Sequence, residues 1–203
     1  MRLENVRARD LAALRALIAA VPAEAPYDIA IEPGDPVAAM AREAGFAPYA
    51  TTVMFSRAIE GLPEADPADG VRLLTYDNAM GDRYDDAEFD ALHGLAIYKA
   101  MGRPTGYRQG AGFGDFTVAM RGDRLIGFCF TQVPEGIIWW LGVVPDERRK
   151  GVARMLMSSA ARATRTAGGT HLLMESEDTP EARAFFGALG FRDRGTRELL
   201  ITS

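Results

Sequence analysis

A single cysteine, Cys129, stands among the 203 residues, so neither an internal disulfide framework nor a cysteine-rich metal site can be built from this chain. Histidines number two, with no H-E-x-x-H spacing, and no structural or catalytic metal is expected. An excess of basic charge is missing as well. The 23 Lys and Arg are outnumbered by 28 Asp and Glu, a net charge of −5, which argues against general nucleic-acid binding. Apolar runs fall far short of the about 20 residues that span a bilayer. The start, Met1-Arg2-Leu3-Glu4-Asn5, carries no apolar signal segment. These absences predict a cytoplasmic chain without membrane or nucleic-acid partners, long enough for one ordinary domain and an appendage. Hydrophobic residues at 48% and charged residues at 25% fit a globular protein. Cys129 lies in the strand-like Leu125-Ile126-Gly127-Phe128-Cys129-Phe130, where a buried, inert thiol is expected.

What the chain does have is a basic, glycine-containing turn between a strand and a helix. The apolar run Ile137-Ile138-Trp139-Trp140-Leu141 reads as a buried strand. It leads through Val143-Val144-Pro145-Asp146-Glu147-Arg148-Arg149-Lys150-Gly151-Val152-Ala153 into Arg154–Ala167, which has helical periodicity and ends at Gly168-Gly169. Such a turn aims several backbone N–H groups and the positive end of the helix dipole at one spot, which suits phosphate. Gly151 permits close backbone approach, small Ala153 leaves room, and Arg148, Arg149 and Lys150 bring positive charge. No G-x-x-x-x-G-K-[ST] is present, and no G-x-G-x-x-G follows this strand, so the better-known nucleotide loops are set aside.

Arg148-x-x-Gly151-x-Ala153 after Val143-x-Pro145 resembles the [QR]-x-x-G-x-[GA] signature of the Gcn5-related N-acetyltransferases, the GNAT family. A second segment, Thr179-Pro180-Glu181-Ala182-Arg183-Ala184-Phe185-Phe186-Gly187-Ala188-Leu189-Gly190-Phe191, is similar to that family's N-x-x-A-x-x-x-Y-x-x-x-G-F segment. The resemblance covers about Val71 to Ser203. It implies the acyl-CoA N-acyltransferase fold, an α/β (α+β) architecture whose mixed, mostly antiparallel central sheet is flanked by helices. It also implies a transferase that passes an acetyl group from acetyl-CoA to a primary amine by direct attack in a ternary complex, with no metal. Arg148, Arg149, Lys150, Gly151, Val152, Ala153 and Arg154 would hold the pyrophosphate. Leu141 and Val143 would pair with the pantetheine arm at a strand bulge, and the Val143 backbone N–H would polarise the thioester.

The sequence departs from the family at three positions. Phe186 stands where a tyrosine acid is frequent and cannot donate a proton. Thr179 replaces an asparagine; its hydroxyl suits a helix cap before Pro180, with a CoA contact in addition. Glu175 is the candidate base, although Met174 aligns with the family's glutamate, and a slip of one residue reverses the face of a strand. An exposed strand-end acid is the plainer reading of Glu175. The missing acid and the unlocated base keep open a rival: a catalytically impaired acyl-CoA-binding or sensing module.

The pattern from Val71 onward predicts strands at Val71–Tyr76, Phe116–Met120, Leu125–Gln132, Ile137–Val144, His171–Glu175 and Glu198–Thr202, with helices at Asp85–Met101, Arg154–Ala167 and Pro180–Leu189. On the Asp85–Met101 helix, His93 and Tyr98 read as packing residues, as does Tyr107 nearby. The acids Asp82–Asp90 read as a helix start, and Gln109–Gly114 as a connector. Residues 1–60 echo the back half: Ala8–Val21 helix, Ile29–Glu32 strand, a short helix ending at Ala44-Gly45-Phe46, and Thr51–Arg57 strand. They are expected to be a degenerate, structural half of the same fold, without a basic glycine turn and so without a second cofactor. Residues 61–70 would link them to a catalytic domain at 71–203. The N-terminal half would bury its apolar face on that domain or on a second chain in a homodimer.

Overall fold

The computed structural model describes residues 2–3, 8–20, 28–65, 68–76 and 114–202. The expected helix Asp85–Met101 with His93 and Tyr98, the acids Asp82–Asp90, Tyr107 and residues 109–113 lie outside the described residues. Contacts group the chain into two compact units: Met1–Met54 with Ser176–Ala184 and Asp193–Ser203, and Phe55–Glu175 with Phe185–Arg192.

The first unit begins with β1 (Arg2–Leu3) and α1 (Leu11–Ala19). Asp10 starts α1 by accepting the Ala13 N–H at 2.8 Å. After β2 (Asp28–Ile31), Asp35 caps α2 (Pro36–Glu43) in the same way through Val37 N–H at 2.8 Å, with Pro36 in the first turn. β3 (Phe46–Ala58) and β9 (Arg192–Thr202) complete the strands, in the order β1-β2-β9-β3. Leu14, Ile29, Ile31, Val37, Ala41, Phe46 and Leu200 form one buried cluster, the burial that α1 and β2 need to be stable. The order of elements within residues 1–60 is strand, helix, strand, helix, strand, the expected four preceded by the short β1. The units interleave along the chain, and within the first β9 supplies the antiparallel neighbour of β2, from Asp28↔Ile201 to Ile31↔Glu198.

In the second unit β4 (Val71–Thr75), β5 (Asp115–Arg121), β6 (Arg124–Gln132) and β7 (Ile137–Val143) are successive antiparallel neighbours, and β8 (His171–Glu177) adds parallel to β7. α3 (Val152–Thr166) covers β5, β6 and β7, burying Met155, Leu156, Ala160 and Thr164. Gly127 on β6 lets it come close: a Cβ there would sit 3.2 Å from Leu156 Cδ1 and 2.9 Å from the Gly142 carbonyl. The opposite sheet face carries Tyr76, Phe116, Val118, Met120, Phe128 and Phe130, with Trp140 packed against them. α4 (Pro180–Ala188) follows β8. The expected linker is fastened onto α3, where Ala65 N–H donates to Ser158 Oγ at 3.0 Å and Ala68 N–H to Met155 Sδ at 3.1 Å.

Two strands run longer than expected. β3 begins at Phe46, not Thr51, and β9 at Arg192, not Glu198. The stretch added to β3, Phe46-Ala47-Pro48-Tyr49-Ala50, holds a proline and no apolar–polar alternation, and the one added to β9 is polar, mostly exposed and interrupted by Gly195 at φ 115°, so neither shows a period-two apolar pattern.

Candidate functional site

β7 and β8 are joined over one short stretch only. Their parallel register holds Ile137↔Leu173 and Ile138↔Met174, with the Leu173 N–H on the Gly136 carbonyl at 2.9 Å. It ends there, while β7 continues to Val143, paired on its other side with β6. A bulge lies at the point of parting: Thr131 faces Ile138 and Phe130 faces Trp140, so Trp139 is the extra residue. Bulges bend and twist the strand that carries them, which turns β7 away from β8. The bulge was expected at Leu141–Val143 and sits at Trp139, because the register of β6 fixes it there.

Among the described residues nothing pairs with the edge of β7 beyond Ile138, and that edge carries backbone donors. Val144 N–H donates to the Ile126 carbonyl on β6 at 3.0 Å. Successive N–H groups along a strand point to opposite edges, so those of Val143 and Leu141 point away from β6, into the gap. The Val143 carbonyl accepts Arg148 Nε at 3.1 Å, which ties the start of the turn to the end of the strand.

The turn holds two left-handed residues, Arg149 at φ 65° and Gly151 at φ 89°. Gly151 is the residue before α3, and no side chain caps that helix. Its first N–H groups, from Val152 onward, have no intrahelical acceptor and face outward with the helix dipole behind them. Left-handed residues next to a helix start make a concave nest of N–H groups, which binds anions. A Cβ on Gly151 would meet nothing nearer than Ala68 Cβ at 3.9 Å, so conformation and not crowding calls for glycine. Arg149 adopts such a conformation at a cost of roughly 1–2 kcal/mol. Arg149→Gly relieves it but loosens the unfolded chain by roughly 0.5–1 kcal/mol. The expected result is a net gain of roughly 0.5 kcal/mol in chemical denaturation; a loss would show that the arginine side chain holds the turn.

Behind the turn lies an ion-pair arrangement. Glu147 is buried, and its Oε2 accepts Arg121 Nη2 at 3.0 Å and pairs with Lys150 Nζ at 3.5 Å. Arg121 also donates to the Asp69 carbonyl, and Arg124 holds Asp146 with two bonds of 2.7 and 2.9 Å. These contacts clamp Pro145–Lys150 to β5 and β6. The hydrogen bond from Arg121 holds the Glu147 carboxyl below its ordinary range, against the opposing effect of burial. Because the folded state lowers this pKa, its stabilisation is present above the unfolded value and is lost as pH falls through the folded one. Glu147→Gln is therefore expected to destabilise at neutral pH, and its unfolding free energy should converge with wild type in acid. Two parallel pH curves from denaturant unfolding would contradict this.

Arg148, Arg149 and Lys150 were expected to act alike as charge at the mouth. Arg148 bonds to Val143 and Lys150 shares Glu147, and these two are exposed like Arg149 and Arg154. Val152 is buried and Ala153 half-buried. Glu147 and Arg121 were missed by sequence reasoning; the only signal was an acidic pair, Asp146-Glu147, directly before basic residues.

Along β8, Leu172 and Met174 are buried, and Leu173 and Glu175 alternate with them on the other face. Thr179 Oγ1 accepts the Ala182 N–H at 3.1 Å and so caps α4. Phe186 is 3% exposed, with its ring centroid 4.7 Å from Phe55, 5.0 Å from Phe185 and 5.5 Å from Phe191. Cys129 is buried against Thr131, and desolvation pushes its thiol up to about 12, which rules it out as a thiolate nucleophile at neutral pH.

Comparison with known proteins agrees with this geometry. Residues 112–193 match the family model described as an acetyltransferase (GNAT) domain. No curated protein matches the chain by sequence. Among solved structures, a GCN5-related N-acetyltransferase from Sphaerobacter thermophilus is similar over 93% of this chain, with TM-score 0.64 and 15% identity; the chain spans 64% of its length. One from Kribbella flavida is similar over 95% of this chain and 74% of its own, with TM-score 0.65 and 15% identity. A Drosophila protein is similar over the whole chain and 70% of its own, with TM-score 0.74 and 15% identity. The chain has the GNAT fold, and its residues 112–193 match the model of the GNAT acetyltransferase domain.

Proposed function

We propose that this protein is a cytoplasmic N-acyltransferase that moves an acetyl group from acetyl-CoA to a primary amine within a ternary complex. The observation that carries the reading is the gap between β7 and β8, which opens from Ile138–Met174 and has a phosphate-type turn at the far end of β7. A pyrophosphate fits the N–H groups between Arg149 and Arg154. A pantetheine arm, which carries amides, fits the open edge of β7 as an added strand. Running from the turn toward the point of parting, the arm meets Val143 first and Leu141 next. We therefore assign the holding of the arm to Val143 and the polarising of the thioester carbonyl to the Leu141 N–H, a shift of one repeat from the expected Val143.

In this reading Glu175 takes a proton from the ammonium form of the acceptor. The neutral nitrogen attacks the carbonyl carbon, a C–N bond forms and the C–S bond breaks. The second nitrogen proton leaves to water, and the thiolate takes one from water. No side chain acts as a nucleophile, consistent with the buried Cys129 thiol. Phe186, enclosed by rings, offers no proton, and this favours the second reading, a binding module without turnover. Thiol release from acetyl-CoA, followed with a panel of primary amines, separates the two. Amine-dependent release, reduced about 10²–10⁴-fold in Glu175→Gln with KM for acetyl-CoA unchanged, supports catalysis. CoA binding with no release for any amine supports the module.

A further inference from the structure

We infer that the acceptor amine carries a flat apolar group, an aromatic ring above all, which lies on Trp139 where β7 and β8 part; this rests on the acyl-CoA reading above. Single exposed apolar side chains are ordinary on protein surfaces. Trp139, at 48% exposure, and Leu173, at 37%, stand on neighbouring strands close to the point where those strands part. Ile137 and Leu173 are register partners and so share a sheet face, and the bulge residue Trp139 is held toward that face by its hydrogen bond to Gln132. Gln132, the partner of Ile137 on β6, accepts the Trp139 Nε1–H at 2.9 Å. The polar edge of the indole is thus satisfied, its orientation is set, and what it leaves exposed is apolar ring. Beside it Trp140 rests on Phe130, with centroids 5.0 Å apart, so the exposed indole borders a rigid aromatic layer.

This ledge sits at the closed end of the gap, where an arm laid along Val143 and Leu141 would bring its thioester. Glu175 follows Leu173 by two residues on the same face of β8. An acceptor with its ammonium group toward Glu175 and a ring on Trp139 would use both features. A small hydrophilic amine would leave the indole wet.

The test compares 2-phenylethylamine with n-butylamine and ethanolamine as acceptors. The expected kcat/KM for 2-phenylethylamine is about ten-fold above that for n-butylamine, the size of one good ring contact. Trp139→Ala should collapse this ratio to near one, and Trp139→Phe should keep most of it. Titration of the CoA-loaded protein with 2-phenylethylamine should shift tryptophan fluorescence to shorter wavelength, and the same shift should be absent in Trp139→Ala. Equal kcat/KM across the amines, or a ratio untouched in a folded Trp139→Ala, would overturn the inference. So would a fluorescence shift that survives that variant. Each of these results leaves the acyl-CoA reading standing, whereas failure to bind CoA would remove that reading and the inference with it.

Discussion

Gly151→Glu is expected to lower CoA affinity at least a hundred-fold while leaving the protein folded. The backbone at φ 89° makes any L-residue costly there, by roughly 1–2 kcal/mol. Nothing lies within van der Waals contact of a new Cβ except Ala68 at 3.9 Å, so the fold has no clash to absorb. The effect on binding is different in kind. The carboxylate would stand at the mouth of the N–H nest, occupy the donors that a pyrophosphate needs and repel its charge. Gly151→Ala is the control, with the same backbone strain and no charge, and should lose far less affinity. Calorimetric titration with CoA reads both; unchanged affinity in a folded Gly151→Glu would mean that the turn does not hold the phosphates.

Phe186→Ala should destabilise the fold more than Gly151→Glu or Glu147→Gln, by about 3–5 kcal/mol. Its ring is almost wholly buried and touches the rings of Phe55, Phe185 and Phe191, so truncation leaves a cavity lined by aromatic groups that cannot all collapse inward. Denaturant unfolding measures the loss. If stability is kept while amine acetylation disappears, the ring acts in the chemistry and not in packing. Phe186→Tyr, which restores the family's frequent residue, would bury a hydroxyl in the same cluster at about 1–3 kcal/mol if the hydroxyl finds no partner.

Much of the second unit was legible because its signals are local. The strands β5, β6 and β7 alternate around Arg121-Gly122-Asp123 and Pro134-Glu135-Gly136, and both turns have a glycine at positive φ. The basic turn and α3 follow from a glycine, a run of cations and a helical apolar period. The parts that escaped depend on distant partners. The bulge at Trp139 exists only relative to the register of β6, and nothing within Ile137–Val143 marks it. The burial of Glu147 depends on Arg121, a full strand pair away, so a charged residue in a charged run gave no hint of it. The interleaving of the two units rests on β9, whose first residues are polar and whose pairing with β2 joins opposite ends of the chain. At Glu175 the alternation of β8 was readable, and it set Glu175 on the face opposite to Met174.

The most direct test of the account is residue-resolved amide hydrogen exchange, by NMR, with and without CoA. If the arm of acyl-CoA adds to β7 as a strand, the N–H groups of Leu141 and Val143 become protected on binding, together with those from Gly151 to Arg154. Gly142 and Val144 should change little, since their N–H groups point toward β6, where that of Val144 already bonds to Ile126. CoA binding that leaves Leu141 and Val143 exchanging as before would contradict the account.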